Sequence, residues 1–186
     1  MFRRLWIWML GMIGCAPVAQ FVDTTVHGVP NMVQVAPRLW RMGQPVDAEA
    51  WNYVGVTLMP VSSTVRIVVV KLNDDKEGSD DEASRLGMTV IRWPLPPEDD
   101  KPWTVLVKPD PKEVWCIVGA IVDAYKRGDT VVWHCSHGRD RTGIITALVG
   151  MKLLGWSKQV AWKNMLDHGF RWELPDLDAF WLEDVH

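Results

Sequence analysis

Cys135 and Arg141 stand with five residues between them in the run HCSHGRDRTG at 134–143. A thiol and a guanidinium at this spacing let the intervening backbone curl until its N–H groups converge on one tetrahedral anion. Arg141 can hold two oxygens of that anion as a bidentate fork, which a lysine cannot reproduce. Amide dipoles, the start of a following helix and the guanidinium all favour the ionised form of Cys135, and the thiolate is the nucleophile. The chemistry on offer is attack by Cys135 on a bound phosphoryl group. Ser136, His137, Gly138, Arg139, Asp140 and Arg141 are the phosphate-binding set, with Gly138 permitting the unusual turn and Gly143 allowing close packing behind it.

Such a loop has to be held between rigid elements. Residues 130–133 (TVVW) read as a buried strand and 142–154 as an apolar helix stopped by Gly155, so the loop leaves the carboxyl end of a strand. Residues 65–72 are β-branched and nearly continuous, as expected of a central strand covered on both faces. Residues 39–42 and 88–93 are further strand candidates. Asp47 can cap a helix over 48–58, Ser79 one over 80–86 ended by Gly87, and Ser157 one reaching about 167. Residues 111–127 carry Val114, Ile117, Val118, Ile121 and Val122 at helical spacing with Gly128 as the stop, and 175–183 reads as a last helix. Strands alternating with helices predict an α/β domain with a central, mainly parallel sheet of four to five strands flanked by helices on both faces, and a ligand outside the carboxyl ends of the strands. The predicted domain runs over 38–186. Residues 16–37, with Pro17, Pro30 and Pro37, read as an extended lead-in.

The 134–143 segment resembles the active-site signature of the protein tyrosine and dual-specificity phosphatase superfamily: cysteine, five residues, arginine, then serine or threonine. The resemblance implies a dual-specificity-phosphatase-like fold and phosphomonoester hydrolysis. Cys135 would form a cysteinyl-phosphate, Arg141 would hold the equatorial oxygens, Thr142 would ease departure of the thiolate, and His134 would support the loop. Phosphoester cleavage also needs an acid for the leaving oxygen. In WPLPPEDDKP at 93–102 the EDDKP run is similar to the Glu-Asp-x-x-Pro arrangement of lipid-phosphatase-like members, which selects Asp99 first and Asp100 second. Asp140 is a third candidate, because the loop also resembles that of myotubularins. PRLWRMGQP at 37–45 is similar to a Tyr-Arg-Ser-Gly-Gln-Pro segment of bacterial and fungal atypical dual-specificity phosphatases, a group with inositol-phosphate-directed members. It offers Arg38 and Arg41 as substrate-rim residues or as plain surface charges. Lys71, at the end of a central strand, is a candidate for facing a second phosphate. With His137 and Arg139 these cations favour an anionic phosphorylated substrate, either an inositol polyphosphate or a phosphoprotein. The rival reading from another class is a catalytically silent phosphate-binding module at the cell envelope; a rhodanese-like sulfurtransferase would not need the Arg-Thr-Gly continuation.

The 186 residues carry 20 basic and 23 acidic side chains, a formal charge of −3, and so exert no general attraction for nucleic acid; anion binding has to be local. No cofactor is implied, and the histidine, cysteine and carboxylate spacings form no metal ligand set. Twelve tryptophans spread along the chain read as core and rim fillers, and a monomer is expected. Cys116, in an apolar stretch, reads as an inert buried thiol. Arg3 and Arg4 followed by ten apolar residues match an export signal over 1–15, and MIGC at 12–15 resembles the bacterial lipobox with methionine in place of leucine. Cys15 is then a candidate lipid anchor, which implies an exported, periplasmic or membrane-anchored protein; without a signal the chain would be cytoplasmic.

Overall fold

The computed structural model describes residues 24–59, 65–74, 78–95, 108–172 and 175–185. The expected export segment, Cys15, and both Asp99 and Asp100 lie outside the described residues.

Among the described residues, seven strands and six helices follow in the order β1 (Thr25–Val26), β2 (Val29–Pro30), β3 (Val33–Ala36), β4 (Leu39–Gly43), α1 (Ala48–Leu58), β5 (Ile67–Lys71), α2 (Asp81–Arg85), β6 (Thr89–Arg92), α3 (Pro111–Lys126), β7 (Thr130–Cys135), α4 (Asp140–Leu154), α5 (Lys158–Asp167) and α6 (Pro175–Asp184). The main sheet has the order β3-β4-β7-β5-β6. β4, β7, β5 and β6 run parallel, and β3 pairs antiparallel with β4 at the edge.

Alternation along the central strands explains why their sequences are apolar throughout. Val68, Val70, Val131, Trp133 and Cys135 join a core under α3, α4, α5 and α6. Their neighbours Val69 and Val132 join a second core with Trp51 and Val54 of α1 and Ala83 of α2. Two covered faces require two apolar sets one residue apart, which is the predicted α/β architecture. The buried indole of Trp133 finds its partner in Thr146 of α4, donating from Nε1 to Oγ1 at 3.0 Å.

The helix starts follow their caps. Asp47 accepts from Ala50 N at 2.8 Å, Asp110 from Lys112 N at 2.9 Å ahead of Pro111, and Ser157 from Val160 N at 3.3 Å. Ser79 accepts from Asp81 N at 3.1 Å, but the N-cap position of α2 belongs to Asp80, whose side chain makes no cap bond and turns inward. α3 places Val114, Ile117, Val118 and Ile121 against the sheet, and the same spacing puts Cys116 on the outer side, so this thiol is exposed and not buried as expected.

Residues 25–36 also depart from the extended lead-in. They fold back through β1–β3, and β3 joins the main sheet ahead of Arg38. Strands of two to four residues are too short to show a period, and the turns that connect them use left-handed His27 (φ 48), Asn31 (φ 49) and Arg38 (φ 65), residue types that announce such turns weakly.

Two helix glycines give a paired test of the packing. A Cβ at Gly150 in α4 would come within 2.0 Å of the Trp156 ring, whereas one at Gly119 in α3 meets nothing within 4 Å. Gly150→Ala is expected to destabilise the fold by about 1–3 kcal/mol through overpacking. Gly119→Ala should stabilise it by roughly 0.5–1 kcal/mol through helix propensity. Denaturant unfolding of the two variants checks both signs.

Candidate active site

β7 ends at Cys135 and α4 begins at Asp140, two residues earlier than the sequence pattern indicates, so Arg141 sits in the first helical turn. The four residues between form a loop at the carboxyl end of the strand that lies between β4 and β5. Gly138 has φ +71, and a Cβ there would meet Gly43 N at 2.5 Å and Met42 C at 2.6 Å. A Cβ at Gly43 would in turn meet the His137 carbonyl carbon at 2.9 Å. Loop and strand end therefore pack backbone against backbone, and only glycine fits on either side.

This contact orients the loop. Ser136 O accepts from Gln44 N at 3.0 Å, His137 O from Asn31 Nδ2 at 2.8 Å, Gly138 O from Arg41 Nη2 at 2.5 Å, and Arg139 O from Gly143 N at 2.7 Å. Four consecutive carbonyls are thus turned away from the loop's concave side. In a planar trans peptide the C=O and the following N–H point in opposite directions, so the amides of residues 137–140 are aimed into the bowl. Converging amides of this kind can form an anion nest.

Around it, Cys135 is buried and Thr142 Oγ1 donates to its Sγ at 3.1 Å. The Arg141 guanidinium donates from Nη2 to Ser136 Oγ at 3.1 Å, and from Nη1 to Leu72 O at 3.4 Å and Leu95 O at 3.3 Å. The ends of β5 and β6 therefore fix the arginine over the loop. His137 is exposed and Arg139 half-buried at the loop's outer edge.

Beneath the loop, on the α1 side of the sheet, lies a buried polar layer. His134 Nε2 meets Asp80 Oδ2 at 2.9 Å, and its ring stands edge-on to Trp51, 5.8 Å between centroids. Asp80 also accepts from Gln44 Nε2 at 3.0 Å and lies 3.9 Å from Lys71 Nζ, and Asn73 donates to Gln44 Oε1 at 3.1 Å. Burial alone would push the Asp80 carboxyl up, but the hydrogen bond and charge of His134, then Gln44 and Lys71, outweigh it and hold the group below 3.8. His134 is held by a partner that gave no sign in sequence: Asp80 looks like one more acid in a solvated helix start.

Three candidates sit elsewhere than expected. Lys71 is fully buried, pairs with Asp80 and donates to Gly78 O, so it braces the 78–80 segment and does not face a second phosphate. Arg41 has no exposed surface and lies under the loop instead of on a substrate rim. Arg38 binds Asp129 O at 2.9 Å and Tyr125 O at 3.3 Å and stacks on the Tyr125 ring, closing the end of α3 at the opposite end of β4. Asp140 is held by Arg171, accepting from its backbone N at 2.9 Å, Nε at 3.0 Å and Nη2 at 2.6 Å, and a carboxylate so engaged is not placed as a general acid. Arg171 also went unmarked in sequence, since it lies thirty-one residues from its partner. A cleft of about 810 Å³ opens beside the loop between Ser136 and His137 on one side and Asp47, Asp81 and Glu82 on the other. Among the described residues no group of three or more His, Cys, Asp or Glu could hold a metal ion.

A mainly parallel sheet delivering a Cys-x5-Arg loop into a helix N-terminus is the arrangement the sequence resemblance implied, and comparisons with known proteins support a likeness to cysteine-dependent phosphatases. Residues 105–165 match the family described as "Tyrosine phosphatase family". The dual specificity protein phosphatase TpbA of Pseudomonas aeruginosa is 29% identical over 153 residues, which are 82% of this chain and 59% of TpbA. The chain thus spans about three fifths of the length of the curated relatives it matches. In fold it is similar to the crystal structure of P. aeruginosa TpbA (TM-score 0.60, 24% identity, 90% of this chain and 91% of that one). It is also similar to PTPMT1 in complex with PI(5)P (TM-score 0.58, 17% identity, 82% and 95% covered).

Removing the Asp80 carboxylate would take away the buried anion that His134 meets at 2.9 Å and that lies 3.9 Å from Lys71. Asp80→Asn is expected to cost about 3–5 kcal/mol in denaturant unfolding at pH 7. Because the folded carboxyl titrates below its ordinary value, its stabilisation is fully present above that value and is lost as the pH falls through the folded one. Wild-type stability should therefore fall below about pH 4, and the Asn variant should show a shallower slope there.

Proposed function

We propose that this chain hydrolyses phosphomonoesters through a cysteinyl-phosphate on Cys135, with a tyrosine or dual-specificity phosphoprotein as substrate. The carrying observation is the outward turn of four successive carbonyls, which leaves a nest of amides beside a thiol that Thr142 already contacts. The phosphate sits in the nest with two oxygens on Arg141. Cys135 Sγ attacks phosphorus, the P–O ester bond breaks, and the leaving oxygen takes a proton from the acid of the 93–102 segment, Asp99 or Asp100 by sequence. Water then attacks the thiophosphate and gives its proton to the same carboxylate. The Thr142 hydroxyl stabilises the departing thiolate, and inorganic phosphate leaves.

The phosphoprotein reading is favoured by where the cations went. Arg41 and Lys71 are engaged under the loop, and in the cleft beside it Asp47, Asp81 and Glu82 outnumber Arg85, which pairs with Glu82 at 3.1 Å, so few cations are left there for several clustered phosphates. TpbA has been solved with pTyr, which supports the same reading. His137 and Arg139 at the loop edge favour the second reading, an inositol phosphate, as does the PI(5)P complex of PTPMT1.

A panel of phosphotyrosyl peptide, phosphothreonyl peptide and inositol hexakisphosphate tests this. Wild type should hydrolyse the phosphotyrosyl peptide best, and Cys135→Ser should bind it without turnover, with kcat down by at least about 10³-fold. Binding without hydrolysis in wild type would turn the protein into a silent phosphate-binding module. We propose further that residues 1–15 direct export and that Cys15 carries the lipid. Mass spectrometry of protein from the native cell should find the mature chain starting at acylated Cys15, and an intact residue 1–15 segment would refute processing.

A further inference from the structure

Arg41 is the least expected cation in the fold. It has no exposed surface, uses Nη2 for Gly138 O, and leaves Nε and Nη1 without a hydrogen-bond partner among the described residues. Burying a guanidinium with idle donors is costly, and holding a carbonyl does not require it. The neighbouring loop carbonyls are held by neutral donors, the Asn31 side-chain amide and the Gln44 backbone amide. What arginine adds to this set is charge.

In the sheet register Arg41 lies opposite Trp133 and two residues before Gly43, the partner of Cys135, so strand alternation sends its side chain out on the face that carries Trp133 and Cys135. Burial pushes the Arg41 guanidinium down to about 10, while the negative charges of Cys135 and Asp140 pull it back up. It therefore remains a cation at neutral pH. Asp140 already has a cation of its own in Arg171. His168, at the end of α5, is held below its ordinary value by burial and then by Arg41, so it adds no competing positive charge near pH 7. Among the described residues, His134 turns away to Asp80 and Lys71 on the far face of β7, Arg141 lies on the loop side, and His137 and Arg139 stand at the loop's outer edge.

We infer that Arg41 is a positioning residue of the phosphate loop, which stabilises the Cys135 thiolate from beneath by its charge while its hydrogen bond turns the Gly138 carbonyl outward. Coulomb attraction is mutual: a thiolate that favours the Arg41 cation is favoured by it to the same extent. Arg141 approaches the anion from the bowl side and Arg41 from the strand side, so the sulfur keeps a cation whether or not a phosphate occupies the bowl. The inference rests on the phosphatase reading only in taking Cys135 as the reactive group.

The test is alkylation of the full chain by iodoacetamide across pH, read peptide by peptide by mass spectrometry so that exposed Cys116 does not contribute. Arg41→Gln keeps a donor for Gly138 O and loses the charge; Arg41→Lys keeps the charge. The Gln variant should show its Cys135 profile displaced to higher pH, with a neutral-pH rate about tenfold below wild type, the factor for one unit of displacement. The Lys variant should stay close to wild type. A Gln profile coincident with wild type overturns the inference, and so does a Lys profile displaced as far as Gln, which would mean that geometry alone acts. If Arg41→Gln does not give a folded protein by circular dichroism, Arg41→Met is the neutral variant, read by the same two outcomes. Alkylation needs no turnover: a wild type that hydrolyses nothing sinks the phosphatase reading and leaves this one standing, and an active wild type with an unmoved Gln profile does the reverse.

Discussion

The site depends on one constraint: the carbonyl oxygens of residues 136–139 have to face outward. A loop of buried and half-buried backbone cannot leave those acceptors without partners, and each bond is worth only about 1 kcal/mol net but considerably more if left unmade. Gln44, Asn31, Arg41 and Gly143 supply the four donors. Three of them come from β4, the residue that follows it and the turn before β3, so the loop is shaped by the strand end on one side and by the first turn of α4 on the other. The glycine pair Gly43 and Gly138 makes this possible, since any side chain at either position would push the two backbones apart.

A second layer follows from the first. His134 precedes Cys135 and pairs with Lys71 in the sheet register, so its ring emerges on the α1 face, where Trp51 covers it. Buried imidazole needs a partner, and Asp80 supplies it; buried Asp80 in turn needs more than one donor and finds Gln44 and Lys71. Gln44 joins both layers, with its backbone N on the loop and its side chain on Asp80 and Asn73. The loop is therefore tied to α2 through side chains and to β4 through the main chain.

This division explains what could be read beforehand. The parallel sheet, the helix caps and the Cys135–Arg141 loop rest on local patterns, namely period, cap residues and a fixed spacing, and these are visible in a linear string. The role of Arg41, Lys71, Asp80 and Arg171 depends on pairs separated by 97, 9, 54 and 31 residues and on which face of a strand each side chain leaves from. Lys71 closes a short span, yet its direction is set by strand parity: Val70 faces the α3 core, so Lys71 faces the α1 side, where Asp80 waits. Applying the same alternation to Arg41, one residue before Met42 in the α1-side core, would have placed it on the opposite face, close to Cys135 and Asp140. Residues 25–36 were hidden for a different reason, because two-residue strands and non-glycine left-handed turns carry almost no periodic signal.

The charge distribution places guanidinium groups at the loop of a chain whose formal charge is −3. Its acids near the loop are already answered: Asp140 by Arg171, and Asp80 by His134 and Lys71. Two guanidiniums remain close to the sulfur, Arg141 bound across Ser136 and the ends of β5 and β6, and Arg41 from below. In the low dielectric of a buried loop these act over a few ångströms with little screening, whereas the surface carboxylates of Asp47, Asp81 and Glu82 act through water.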